Sequence, residues 1–170
     1  VGGLEVRATR DRTLIRPLLD ADPLLAAYAL CDTDPREFGR TRWGIALDEG
    51  RPVALVLEYL GPSPQPLFLA GEPDAVAAIL RDVITPRAAW IAGRPDQVVA
   101  AEAAYRVDPG PPMVRMVVDR ATFRPAAGGA ERLGPVDTGE LNRLYDLGPA
   151  AWLPSSTIAD RKSTRLNSSH

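Results

Sequence analysis

The sequence predicts an α/β domain built on one mixed sheet, and three observations predict it. Apolar residues recur at helical spacing in four stretches of the first 123 residues. Short apolar runs rich in β-branched and aromatic residues lie between those stretches, bounded by Gly, Pro and Asp. The order is strand, two helices, three strands, helix, strand, helix, strand, which suits a layered sheet rather than a bundle or sandwich.

Leu4-Glu5-Val6 reads as a short first strand. Asp11 to Leu19 carries apolar residues at 14, 15, 18 and 19, a helical spacing. Asp22-Pro23 reads as a cap followed by proline at the first helical position, so a second helix is expected to about Cys31. Asp32 to Thr41 is expected as a polar loop. The period then changes. Trp43 to Leu47 and Val53 to Tyr59 form a hairpin across Asp48-Glu49-Gly50-Arg51, with Gly50 free to take a positive φ. Three prolines make 61–66 an irregular connection. Leu67 to Ala70 is the next strand. Gly71-Glu72-Pro73-Asp74 opens a helix to about Val83, with Val76, Ile79, Leu80 and Val83 on one face. Ala88 to Ile91 is expected as a buried strand, Arg94-Pro95-Asp96 as the start of a helix to Tyr105, and Met113 to Val118 as a final strand with Arg115 on a wet face.

The first domain is thus placed at 1–123 and a Pro/Ala/Gly linker at 124–129. The pattern restarts after it. Arg132-Leu133 suggests a short strand, and Asp137-Thr138 caps a helix on which Leu141, Leu144 and Tyr145 share a face. Residues 130–159 therefore read as the strand–helix–helix opening of a second domain.

Composition separates the last eleven residues. The chain's one lysine, Lys162, and one histidine, His170, fall there. So do Asn167 and three of the six serines. Residues 1–159 use arginine as their sole cation. DRKSTRLNSSH, from Asp160 to His170, looks like a translated sequencing adapter, and such segments are excluded from fold reasoning. On that reading the rest is expected to be a fragment of a longer protein. The tail holds three cations and one acid. Residues 1–159 then carry 17 cations against 21 acids, a net charge of −4. That mild acidity without a basic block argues against nucleic acid as partner. No apolar run approaches the roughly 18 to 20 residues that span a bilayer. The single cysteine, Cys31, rules out an internal disulfide and a cysteine-based zinc site, and reads as a small core residue. A reducing cytoplasm fits these facts.

The segments RPVALVLEYLGPSPQPLFLAGEP (51–73), PPMVRMVVDRATFRP (111–125) and LNRLYDLGPAAWLP (141–154), in this element order, resemble the GNAT family of N-acetyltransferases, specifically actinobacterial-type proteins with two tandem domains. The resemblance implies a GNAT-like sheet that splays between its fourth and fifth strands. It implies a degenerate first domain and a second domain that moves acetyl from acetyl-CoA to a small-molecule or peptide amine. In that family a Gln/Arg-x-x-Gly-x-Gly/Ala loop offers backbone N–H groups to the pyrophosphate of acetyl-CoA, as helix N-termini do for anions generally. The matching stretch here is Ala70-Gly71-Glu72-Pro73-Asp74-Ala75. Pro73 has no N–H, and Glu72 and Asp74 place negative charge where the diphosphate would lie. The first domain is therefore expected not to bind acetyl-CoA, and the chain as given to be inactive.

No catalytic, cofactor-binding or metal-binding residue is assigned. Glu58, on the hairpin, has the chemistry of a general base for an amine, against the simpler reading of a solvent-facing strand residue. Trp43 and Tyr59 read as core or interdomain contacts, and Asp48 and Glu49 as turn residues. A Ser-His-Asp set is impossible without a histidine outside the tail. Two other readings stand beside the enzyme. One is a non-catalytic ligand- or partner-binding regulatory module, and the other an unrelated α/β domain.

Overall fold

The computed structural model describes residues 3–61, 63–108, 110, 114–124 and 133–144. The chain divides into two units, Val1–Pro109 and Gly110–His170. The first unit is a mixed α/β domain.

Its five strands are β1 (Glu5–Thr9), β2 (Thr41–Asp48), β3 (Arg51–Tyr59), β4 (Gln65–Gly71) and β5 (Ala89–Ala92), and they lie side by side in chain order. β1 to β4 are antiparallel, each to its neighbour. β5 runs parallel to β4, which needs a crossover, and α4 (Pro73–Asp82) supplies it. The hairpin turn is the expected one. Glu49 and Gly50 have φ of 48° and 79°, the paired positive values a two-residue turn needs to follow strand twist.

β3 is buried on both faces because helices cover both. Ala54 and Val56 point to one face with Leu67, Leu69 and the inner side of α4 (Val76, Ile79, Leu80). Leu55 and Leu57 point to the other, with Trp43, Phe38 and the inner side of α1 (Arg12–Asp20). Fully burying each such Leu or Ile contributes roughly 1.5–3 kcal/mol. Gly44 on β2 sets how closely α4 can lie. A Cβ there would stand 2.4 Å from Ile79 Cγ2 and 2.9 Å from Ile84 Cγ1.

Local chemistry fixes the ends. Asp11 caps α1, its carboxylate accepting from Thr13 N at 2.8 Å. The second helix departs from expectation. Asp22 accepts from Leu25 N at 3.0 Å and holds a turn, but regular helix, α2, covers only Ala27–Cys31. Ala26 and Ala29 face the core while Cys31 is exposed, so Cys31 is not the core residue expected. The expected polar loop after it contains a helix, α3 (Pro35–Phe38), capped by Asp34 through Arg36 N. That turn buries Phe38 against Trp43, with ring centroids 5.9 Å apart.

β5 is an edge strand rather than a buried one. Ala89 and Ile91 pack inward, but Trp90 is 70% exposed. α5 covers Pro95–Ala100, and a 3-10 turn over Ala101–Ala103 ends the helical stretch short of Tyr105. The expected final strand is not formed among its described residues. Residues 114–118 have no regular structure, and Val114 and Met116 are 85% and 91% exposed. Strict apolar–polar alternation is absent there, since Met116, Val117 and Val118 are consecutive apolar residues. A half-buried strand needs both a partner and a single inward face.

In the second unit, Asp119 organises a turn by accepting from Ala121 N and Thr122 N. A 3-10 turn at Pro135–Asp137 leads into α6 (Thr138–Leu144). Leu133 is not in a strand, and Leu144 is 75% exposed. Met113, the remainder of the linker, Tyr145, Trp152 and the tail from Asp160 lie outside the described residues.

Candidate functional site

The loop between β4 and α4 is the place the sequence singles out. Gly71 has φ of +93°, and a Cβ on it would meet Val53 O at 2.1 Å, so only glycine fits. The next N–H, of Glu72, is already spent on Val53 O at 3.0 Å. Pro73 has none. Val76 N binds Glu72 O within the helix. Only Asp74 and Ala75 keep N–H groups at this helix start, and the carboxylates of Glu72 and Asp74 flank them, both on exposed residues. Acids there complement the helix dipole and stabilise the fold, but they oppose a second anion.

β4 is longer than β5, which ends at Ala92. Pairing runs from Gln65–Ala89 to Phe68–Ala92 and stops, leaving Leu69 to Gly71 without a β5 partner. The gap is filled by Gln97, which is 1% exposed. Its Nε2 donates to Gly71 O at 2.9 Å, and its Oε1 accepts from Arg94 N at 2.9 Å. One side chain thus caps both a stranded carbonyl and the start of α5. Sequence reasoning misses Gln97, though a Gln three residues after a helix start is a capping signal.

Glu58 is not solvent-facing. It is 3% exposed, on the α4 face of β3, between Arg42 on β2 and Leu67 on β4. Arg42 Nη1 lies 3.3 Å from Glu58 Oε2, an ion pair whose N–H is not aimed to donate, and Oε2 is buried with no hydrogen bond. Arg42 Nη2 donates instead to Val83 O at 2.8 Å. Tyr105 donates to Ile84 O at 3.3 Å. Burial, and then the negative charge of Glu58, push the Tyr105 hydroxyl above its ordinary pKa.

Trp43 is core, 1% exposed, and donates from Nε1 to Thr41 Oγ1 at 2.7 Å; Thr41 in turn donates to Phe38 O at 2.9 Å. Tyr59 is half-buried and donates to Glu37 Oε2 at 2.8 Å under the Arg40 guanidinium. Burial, with help from the bond to Glu37, pushes Tyr59 up to about 12. Asp32, beside Glu37, is raised to about 6, by burial first and by the Glu37 charge second. These acids stand on the other face of the sheet from Glu58, so the structure does not unite Trp43, Tyr59 and Glu58 in one site. Asp48 and Glu49 lie exposed at the hairpin turn, as expected.

Among the described residues, no three His, Cys, Asp or Glu side chains are grouped to hold a metal ion, and no helix is long and apolar enough to cross a membrane. No family model matches the chain, and no curated protein does. Among solved structures, a ribosomal-protein-alanine N-acetyltransferase from Brucella melitensis biovar Abortus 2308 aligns at 17% identity and a TM-score of 0.36, over 67% of this chain and 99% of that one. So loose an overlay assigns no residue, and the functional reading rests on the chain's own strand order and loop chemistry.

Proposed function

We propose that residues 3–108 are a GNAT-like domain that does not acetylate, serving as scaffold for an N-acetyltransferase whose acetyl-CoA chemistry lies in a second domain opening near residue 130. The order of elements supports the kinship: strand, helices, a three-strand meander, a crossover helix and a parallel fifth strand. The observation that carries the loss of function is the start of α4. Its N–H groups are depleted by Pro73 and by the Glu72–Val53 bond, and its charge is set by Glu72 and Asp74. Gln97 further closes the gap between β4 and β5. The intact protein would then take acetyl-CoA as co-substrate and an amine as acceptor, in the cytoplasm.

Two measurements test this. Calorimetric titration of the chain with acetyl-CoA should give no saturable heat; saturable binding at micromolar acetyl-CoA would overturn the loss-of-function reading. An intact genomic copy should carry a Gln/Arg-x-x-Gly-x-Gly/Ala loop within roughly 60 to 80 residues after Ala159. Its absence would overturn the enzyme in favour of a non-catalytic regulatory module.

A further inference from the structure

A buried carboxylate normally fills its lone pairs with hydrogen bonds. Glu58 Oε2 fills none. The side chain is 4% exposed, Oε2 is sealed from solvent, and Arg42 meets it only as an ion pair at 3.3 Å. Its surroundings add acceptors rather than donors. Val83 O and Ile84 O lie just past the C-terminal end of α4, where the helix dipole is negative, and each accepts one side-chain hydrogen bond, from Arg42 and Tyr105. The Tyr105 hydroxyl is the other donor at hand, and it is committed to Ile84 O by a long bond. This corner attracts a cation that carries several N–H groups.

The resident cation meets that demand poorly. The Arg42 side chain is 48% exposed. It gives its well-formed bond to Val83 O and leaves the carboxylate only charge compensation. Here a planar guanidinium reaching in from the neighbouring strand does not satisfy both acceptors. A compact ammonium has three donors that rotate freely.

The geometry points to Glu58 as the seat of a small organic cation, a primary amine, with Arg42 as the side chain that covers the seat and swings out when the amine enters. The ammonium donates to the Glu58 carboxylate and to the carbonyl Arg42 releases, and the guanidinium moves into solvent, where its exposed half already lies. The seat is independent of the β4–α4 loop, which lies at the opposite end of α4 from Val83. It therefore stands or falls apart from the acetyltransferase reading.

The test uses the full chain with the glutamate carboxyl carbons labelled for NMR, titrated with methylammonium and, separately, with tetramethylammonium. Methylammonium is expected to shift the Glu58 carboxyl signal saturably. Arg42→Ala should bind it at least tenfold tighter, because the covering side chain is gone. Tetramethylammonium, which has the charge but no N–H, should bind at least tenfold more weakly than methylammonium. Glu58→Gln should abolish the saturable response in the remaining signals; should that variant fail to fold, the Arg42→Ala comparison decides alone. No saturable shift in either the unmodified chain or Arg42→Ala overturns the proposal. So does equal binding of the two ammonium ions, or weaker binding by Arg42→Ala.

Discussion

Thr41 shows how much one hydroxyl can organise. It accepts from the Trp43 indole and donates to the Phe38 carbonyl, and it is 1% exposed. Thr41→Val keeps the shape and strands both partners, so chemical denaturation should show a loss of about 1–3 kcal/mol. Asp32 acts in the opposite sense. Its folded pKa, about 6, lies above the ordinary carboxylate value, so the folded state holds its proton more tightly than the unfolded chain. The favourable contribution is complete below about pH 4 and is lost as pH rises through 6. Asp32→Asn should therefore raise the melting temperature at pH 7 to 8 and leave it nearly unchanged at pH 4; a gain of equal size at both pH values would show that its charge is not the cause. Neither role is legible in the sequence. Composition marks Thr41 and Asp32 only as polar loop residues, because folding brings them their partners, Trp43 and Phe38 for Thr41 and Glu37 for Asp32. Glu58 misleads for the same reason. Its place at the end of an apolar strand suggests a wet position, while its burial comes from α4 and the turn after α5.

The elements most legible in advance are those fixed by local chemistry. The β2–β3 hairpin follows from two apolar runs and a Glu-Gly turn, and α4 from Pro73 at its first position and four apolar residues on one face. Elements that depend on a partner are not legible. Residues 114–118 have strand composition but form no strand, and α3 is too short to announce itself by period. The contact between sheet and helix is equally hidden, since a glycine within a strand weakens it by propensity, whereas Gly44 lets α4 sit close. Gly44→Ala should push Ile79 and Ile84 outward and lower stability by about 1–3 kcal/mol, measured by urea unfolding with the slope unchanged. A loss under about 0.5 kcal/mol, small beside the usual cost of overpacking, would mean that α4 yields freely.

Across the first unit, cover is uneven. β2 and β3 are sandwiched between helices, whereas β5 leaves Trp90 open at the edge of the sheet. The unit's two tryptophans therefore occupy opposite extremes, Trp43 at 1% exposure and Trp90 at 70%. That contrast gives the protein a built-in pair of optical probes. Iodide should quench the red-shifted emission of Trp90 while leaving the blue emission of Trp43 nearly intact, and a Trp90→Phe variant, with Trp152 also replaced, should lose most of the quenchable fraction. Light from Trp43 then reports whether the α1 layer still grips the sheet, and light from Trp90 reports what has arrived at its open side.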